Sequence, residues 1–211
     1  MDIDELVIRF PRVWHATYPG GWEAIRTGGL QSSTALLEAA GRGDEAKAVR
    51  TESVRLSTPA GDVVLREQVP NKKDPSAYPD GLSTDDWWQL INRRSYLFAV
   101  REDLDQFVGA YLEKGEAQEI ITFETRRLLG PVSDHVEIAM VNAGAFPKAT
   151  SPAKGKATFV TLPDFTAQPT RIREVTVTVP AEVTERAVIS VVSVVPDEGP
   201  VRIFPPVKAR V

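Results

Sequence analysis

Apolar positions in the first third of the chain recur at helical spacing, and in its last third at strand spacing. Residues 3–10 (Ile-Asp-Glu-Leu-Val-Ile-Arg-Phe) carry apolar groups three to four apart and stop before Pro11, which predicts a short N-terminal helix. Val13, Trp14 and Thr17 then predict a strand, Pro19-Gly20-Gly21 a turn, and Trp22, Ile25 and Arg26 a second helix that ends at Gly28-Gly29. Ser32-Ser33-Thr34 supply hydroxyl caps for a helix over residues 35–40, closed by Gly41. The charged residues 42–52 read as solvated. Val54, Leu56, Val63 and Leu65 alternate with polar neighbours around Pro59-Ala60-Gly61-Asp62, a hairpin pattern.

Residues 66–82 hold three prolines and few apolar groups, so they read as a long loop of the kind that is often functional. Ser83-Thr84-Asp85-Asp86 then cap a helix carrying Trp87, Trp88, Leu90 and Ile91, followed by a strand at 95–100 and a helix at 102–113. From there on strands are predicted at 119–123, 136–141, 157–162, 172–179 and 187–195. Helices in the first half and strands in the second predict an α+β fold with mostly antiparallel sheets. Residues 1–195 read as a single domain. Residues 196–211, with Pro196, Pro200, Pro205 and Pro206, read as a proline-rich tail extended across the surface.

Length and composition narrow the function. A chain of 211 residues fits one domain with a sizeable core. With 25 basic and 29 acidic side chains, the net charge of −4 gives no general attraction to nucleic acid or anionic membrane. The absence of cysteine excludes disulfides, thiolate nucleophiles and cysteine-held metals. The acidic start, Met1-Asp2-Ile3-Asp4-Glu5, lacks the basic and apolar regions of a secretory leader, and residues 187–195 are too short to span a membrane. A cytoplasmic protein with no membrane partner is expected.

His15 and His135 are the only imidazoles, with no metal-binding spacing, so no metal centre is predicted, and His135 beside Asp134 reads as a surface turn. Residues 153–158 (Ala-Lys-Gly-Lys-Ala-Thr) lack the first glycine and the metal-binding hydroxyl of a phosphate loop. Lys148, Lys154 and Lys156 nevertheless form a basic stretch that is either a solvated face or a phosphate or nucleic-acid contact. Neither a Gly-x-Ser-x-Gly elbow nor a Gly-x-Gly-x-x-Gly turn occurs.

The pattern His15-x-Thr17, then Trp22-x-x-Ile25-x-x-x-Gly29-Leu30, resembles the opening strand and helix of ADP-ribosyltransferase-like proteins, including DarT-type DNA ADP-ribosyltransferases and RNA 2′-phosphotransferases. Trp87-Trp88-x-Leu90-x-Asn92-x-Arg94-x-Tyr96-Leu97-Phe98, with Asn142-x-Gly144 and Gly155-x-x-Thr158-Phe159, resembles an uncharacterised bacterial domain family of the same superfamily. Together these patterns cover residues 13 to about 179.

The resemblance implies two small, mostly antiparallel sheets forming a cleft with flanking helices, and an enzyme that takes NAD as substrate. His15 and Thr17 would grip the nicotinamide ribose, Tyr96 would stack, Arg94 would hold the pyrophosphate, and Asn142 would line the NAD site. Glu174 or Glu137 would be the catalytic carboxylate beside His15, with Glu174 favoured because it follows a long loop (163–171). Nucleic acid is the acceptor that the resemblance suggests. The chain departs from the transferase pattern in having no Gln-x-Glu or Glu-x-Glu pair at either glutamate. Two other readings stay open: a non-catalytic nucleotide- or partner-binding module of the same fold, and a toxin or defence component neutralised by an antitoxin protein.

Overall fold

A computed structural model describes residues 1–68, 80–144, 154–166 and 172–204. Residues 69–79 of the expected long loop, Lys148, the end of the 163–171 loop and Pro205 and Pro206 of the expected tail lie outside the described residues.

Helix α1 (Ile3–Arg9) starts on a capping box. Glu5 N donates to Asp2 Oδ1 at 2.9 Å, and the Asp2 amide donates back to Glu5 Oε2 at 3.2 Å. Strand β1 (Arg12–Thr17) leads through Gly20, at φ +86°, into α2 (Gly21–Gly28). Ser32 caps α3 (Ser33–Ala39), and the hairpin forms from β2 (Val54–Thr58) and β3 (Gly61–Leu65) with Thr58 opposite Gly61. Ser83 and Asp86 box the start of α4 (Thr84–Asn92), which delivers the chain to β4 (Tyr96–Phe98) and α5 (Arg101–Leu112).

The second half holds β5 (Gln118–Glu124), α6 (Thr125–Leu129), β6 (Glu137–Ala139), β7 (Val160–Thr161), β8 (Glu174–Thr176), α7 (Ala181–Ala187), β9 (Val188–Val194) and β10 (Val201–Phe204). Helices α6 and α7 stand, unanticipated, in a second half in which strands are expected to dominate. Both are short, and Pro180 stands at the N-cap of α7, where a missing amide costs nothing. Residues 157–162 are also less regular than expected, since a 3₁₀ turn (Lys156–Thr158) precedes β7.

The fold is α+β, with an eight-stranded antiparallel sheet in the order β10-β9-β5-β1-β4-β8-β6-β7 and a separate two-stranded sheet from the hairpin. The resemblance implies two small sheets; the observed ones are one large and one small. Residues 201–204, expected in the tail, add the edge strand β10 to β9.

The main core lies on one face of the large sheet. There Val13, Leu97, Ile121 and Val175 meet Leu6 of α1, Trp22 of α2 and Leu128 of α6. On the other face, Ala16 and Ile120 pack under Leu104 and Val108 of α5. A smaller cluster places Trp87 and Trp88 of α4 against Ala139, Ala143 and Phe159. The hairpin closes a satellite core with α3 through Leu37, Ala46, Leu56 and Leu65. Ala46 belongs to a 3₁₀ turn (Gly43–Lys47), so the charged stretch 42–52 is not wholly solvated as expected.

No helix among the described residues is long and apolar enough to cross a membrane.

Candidate functional site

The large sheet opens beside β1. On one side β1 pairs with β5 along its whole length, from Arg12↔Glu124 to Thr17↔Glu119. On the other it meets β4 at a single position, Trp14↔Phe98. Continued, that antiparallel ladder would set His15 opposite Leu97 and then Ala16 opposite Tyr96. The ladder stops first, and the His15 ring takes over, its Nδ1 lying 2.9 Å from the Tyr96 carbonyl oxygen.

This contact fixes the imidazole chemistry. A carbonyl only accepts, so Nδ1 carries the proton and donates, which leaves Nε2 as a bare acceptor. His15 is enclosed by protein on most sides but keeps one side on the cleft. Burial lowers its pKa to about 4, against the upward pull of the Tyr96 hydrogen bond and with a further downward push from the nearby Arg66 charge. The ring is therefore neutral at pH 7.

The opening holds a cavity of about 430 Å³, within the roughly 300–1,000 Å³ usual for small-molecule sites. His15 and Thr17 line it from β1, Tyr96 and Phe98 from β4, and Glu174 from β8, with Asn142 and Gly144 from the turn before residue 145. Helix α2 contributes its glycine-lined side. The hairpin lies across it; Ala60 comes so close to Gly28 that a Cβ there would sit 2.7 Å from the alanine methyl. Helix α2 is itself anchored by buried Glu119, whose two oxygens accept from Gly20 N at 2.7 Å and Trp22 N at 2.9 Å.

Glu174 sits opposite both Phe98 and Ala139 in the ladder. Its Oε2 accepts from Ala143 N at 3.1 Å, and among the described residues its other oxygen carries no hydrogen bond. Burial raises its pKa to about 7, only partly opposed by the Ala143 amide and by the charges of Lys154 and Arg173, with Asp103 adding to the rise. Buried Lys154 donates to the carbonyls of Asn142 and Ala143. Thus Lys154 and Glu174 grip the same turn from two sides. Of the expected basic stretch, Lys154 is an internal clamp, and exposed Lys156 bonds Asp80 Oδ2 through its backbone amide at 2.7 Å.

The structure thus brings His15, Thr17, Arg94, Tyr96, Asn142 and Glu174 to one cavity and leaves Glu137 out of its lining. Glu137 instead holds Arg94 in a two-point ion pair, Nε to Oε2 at 2.8 Å and Nη2 to Oε1 at 2.9 Å. Arg94 Nη1 donates to the Leu90 carbonyl at 2.6 Å, and its guanidinium lies 4.1 Å from the Phe159 ring centre. Its charge is paired within the protein. The Tyr96 hydroxyl likewise donates to the Ile91 carbonyl at 3.0 Å, so the ring is fixed, and burial holds its pKa well above the ordinary value. Trp88 lines the cavity while Trp87 stacks with Phe159, and both are fully buried. His135 is exposed, as expected.

Sequence reasoning missed two arginines. Arg66, in the expected loop, stacks among Tyr18, Phe107 and Tyr111, its guanidinium carbon 4.4–5.0 Å from the three ring centres. Arg50, in the stretch read as solvated, is partly buried and also lines the cavity. The only local signal was that Arg66 directly follows the apolar β3, and a charge there reads equally well as a solvated strand end. Among the described residues no group of three or more His, Asp or Glu side chains is placed to hold a metal ion.

A family model described as a family of unknown function (DUF7002) matches residues 11–197, from the start of β1 to just past β9. No curated protein and no solved structure matches.

Proposed function

We propose that this protein, which belongs to the DUF7002 family of unknown function, binds NAD in the opening beside β1 and transfers its ADP-ribose to an acceptor. The observation that carries the reading is a neutral His15, locked by the Tyr96 carbonyl, sharing one cavity with the Glu174 carboxyl. His15 Nε2 accepts a hydrogen bond from a ribose hydroxyl, a contact that needs a neutral ring. Tyr96, fixed through its hydroxyl, and Phe98 offer aromatic surface for the nicotinamide.

In the transfer step the bond between ribose C1′ and the nicotinamide nitrogen breaks, and nicotinamide leaves with the electron pair. The acceptor forms the new bond to C1′ and its proton passes to ionised Glu174, which also faces the positive charge developing on the ribosyl group. The architecture supports the ADP-ribosyltransferase-like identity in outline: antiparallel sheets, a cleft at the first strand and a histidine on that strand. Nucleic acid remains the proposed acceptor by resemblance, and a neutralising antitoxin partner the proposed context. The test is incubation with NAD labelled in the adenylate half, alone and with single-stranded DNA or RNA. Label transferred to nucleic acid, or released nicotinamide, supports the reading; neither product at any pH from 6 to 9 contradicts it.

A second reading follows from Glu174 itself. A carboxyl that is half protonated near pH 7 and tied to the Ala143 amide suits a site that binds a nucleotide without cleaving it. NAD binding with no nicotinamide release would favour this binding module.

A further inference from the structure

Among the described residues three arginines line the cavity, Arg50, Arg66 and Arg94, and they are not equivalent. Arg94 is neutralised by Glu137. Among the described residues, Arg50 and Arg66 have no carboxylate within ion-pair distance.

Among the described residues every hydrogen-bond partner of these two side chains is neutral. Arg50 donates from Nε to the Arg66 carbonyl at 3.2 Å, from Nη1 to Asn92 Oδ1 at 3.1 Å and from Nη2 to Ser33 Oγ at 3.4 Å. Burial lowers its pKa to about 10, so it stays charged at neutral pH. Arg66 donates from Nη2 to the Gln118 side-chain oxygen, and its Nη1 is buried with no well-formed hydrogen bond. The Arg50 side chain bonds the Arg66 main-chain carbonyl, and both residues line the same cavity. The acids that also line the cavity have partners of their own. Glu67 is held by Lys114 at 3.1 Å and by Ser53 at 2.7 Å, and Glu174 grips the Ala143 amide.

Partly buried charge without a counter-charge is unfavourable, and the cost falls when an anion enters. Guanidinium groups with neutral protein partners keep their charge available to an incoming oxyanion, and phosphates are the anions that their planar forks match. We propose that Arg50 and Arg66 form an anion subsite in this cleft, one that receives a phosphate or pyrophosphate group of the ligand. The assignment rests on reading the cleft as the ligand site, and not on ADP-ribose transfer. It replaces Arg94, the residue expected from sequence to hold a pyrophosphate, with two arginines outside the matching motifs.

The test titrates inorganic pyrophosphate into the full-length protein by calorimetry, for the parent, Arg50→Gln and Arg66→Gln, followed by NAD and by nicotinamide riboside, which lacks phosphate. Pyrophosphate should bind the parent and weaken at least tenfold in each folded variant. NAD should weaken similarly, and the riboside should not. Should either variant fail to fold, the Nε–H resonances of Arg50 and Arg66 in the parent provide the readout, shifting on addition of pyrophosphate. Failure of pyrophosphate to bind, equal binding by folded variants, or unmoved arginine resonances would overturn the subsite. If NAD binds parent and variants alike, the subsite falls and the NAD reading survives. If pyrophosphate binds in an arginine-dependent way and NAD does not bind, the subsite survives and the NAD reading falls.

Discussion

His15 Nδ1 bonds the Tyr96 carbonyl oxygen at 2.9 Å at the point where the β1–β4 ladder stops, so one side chain both spans the gap in the sheet and lines the cavity that the gap creates. With the folded-state pKa lowered from 6.5 to about 4, the unfolded chain binds a proton at this ring between those values and the folded protein does not. Stability is therefore lost as pH falls from about 6.5 to 4. Urea denaturation at pH 7.5 and 4.5 should show His15→Gln losing less stability than the parent over that interval, by on the order of 1–3 kcal/mol. Equal losses would show that the ring is not held neutral.

Glu174 behaves in the opposite sense. Its folded-state pKa of about 7 lies above the ordinary 4.5, so the folded protein keeps a proton that the unfolded chain releases, and stability falls as pH rises from 4.5 to 7. Glu174→Gln keeps an acceptor for the Ala143 amide and removes the titration. Relative to the parent it should gain stability between pH 4.5 and 8, by on the order of 1–3 kcal/mol. If Glu174 accepts the acceptor's proton, transfer by the parent should rise with pH through about 7, and Glu174→Gln should bind NAD normally but turn it over at least ~100-fold more slowly.

Much of this framework was legible before the fold was known. Ser83 with Asp86, Ser32 and the Pro59–Asp62 turn announced two helices and the hairpin, because capping and turn chemistry are local. His15, Tyr96 and Glu174 carried enough pattern to be named as candidates, and they line one cavity. Arg94 and Glu137 were read as separate candidates. Their ion pair depends on a long-range register, Tyr96 and Glu137 both opposite Thr176, that no local pattern encodes. Arg50 and Arg66 were invisible for the same reason. Strand β10 was hidden because prolines at 196 and 200 outweighed a four-residue strand whose pairing with β9 is a tertiary event.

Glu119 tests whether α2 is set by its buried anchor. Glu119→Ala leaves the amides of Gly20 and Trp22 without their partners, at a cost of about 2–4 kcal/mol in chemical denaturation. Glu119→Gln should fall between the variant and the parent. Because α2 lines the cavity, the alanine variant should also weaken NAD binding.

Gly29 tests the junction that ties α2 to the strand region. It has φ +84°, and a Cβ there would lie 2.3 Å from the Val179 carbonyl oxygen, the acceptor of the Leu30 amide at 2.8 Å. Both the left-handed backbone and the clash oppose a side chain, so Gly29→Ala should lose at least ~2 kcal/mol in chemical denaturation. Gly20→Ala, which meets nothing within 4 Å, should lose only the backbone term of about 1–2 kcal/mol.

The most direct measurement is calorimetric titration of NAD into the parent, His15→Ala and Glu174→Gln. The expected result is saturable binding by the parent, at least tenfold weaker binding by His15→Ala, and near-parental affinity in Glu174→Gln. No binding by the folded parent, or equal affinity in the parent and His15→Ala, would contradict the assignment of the β1–β4 opening as the NAD site.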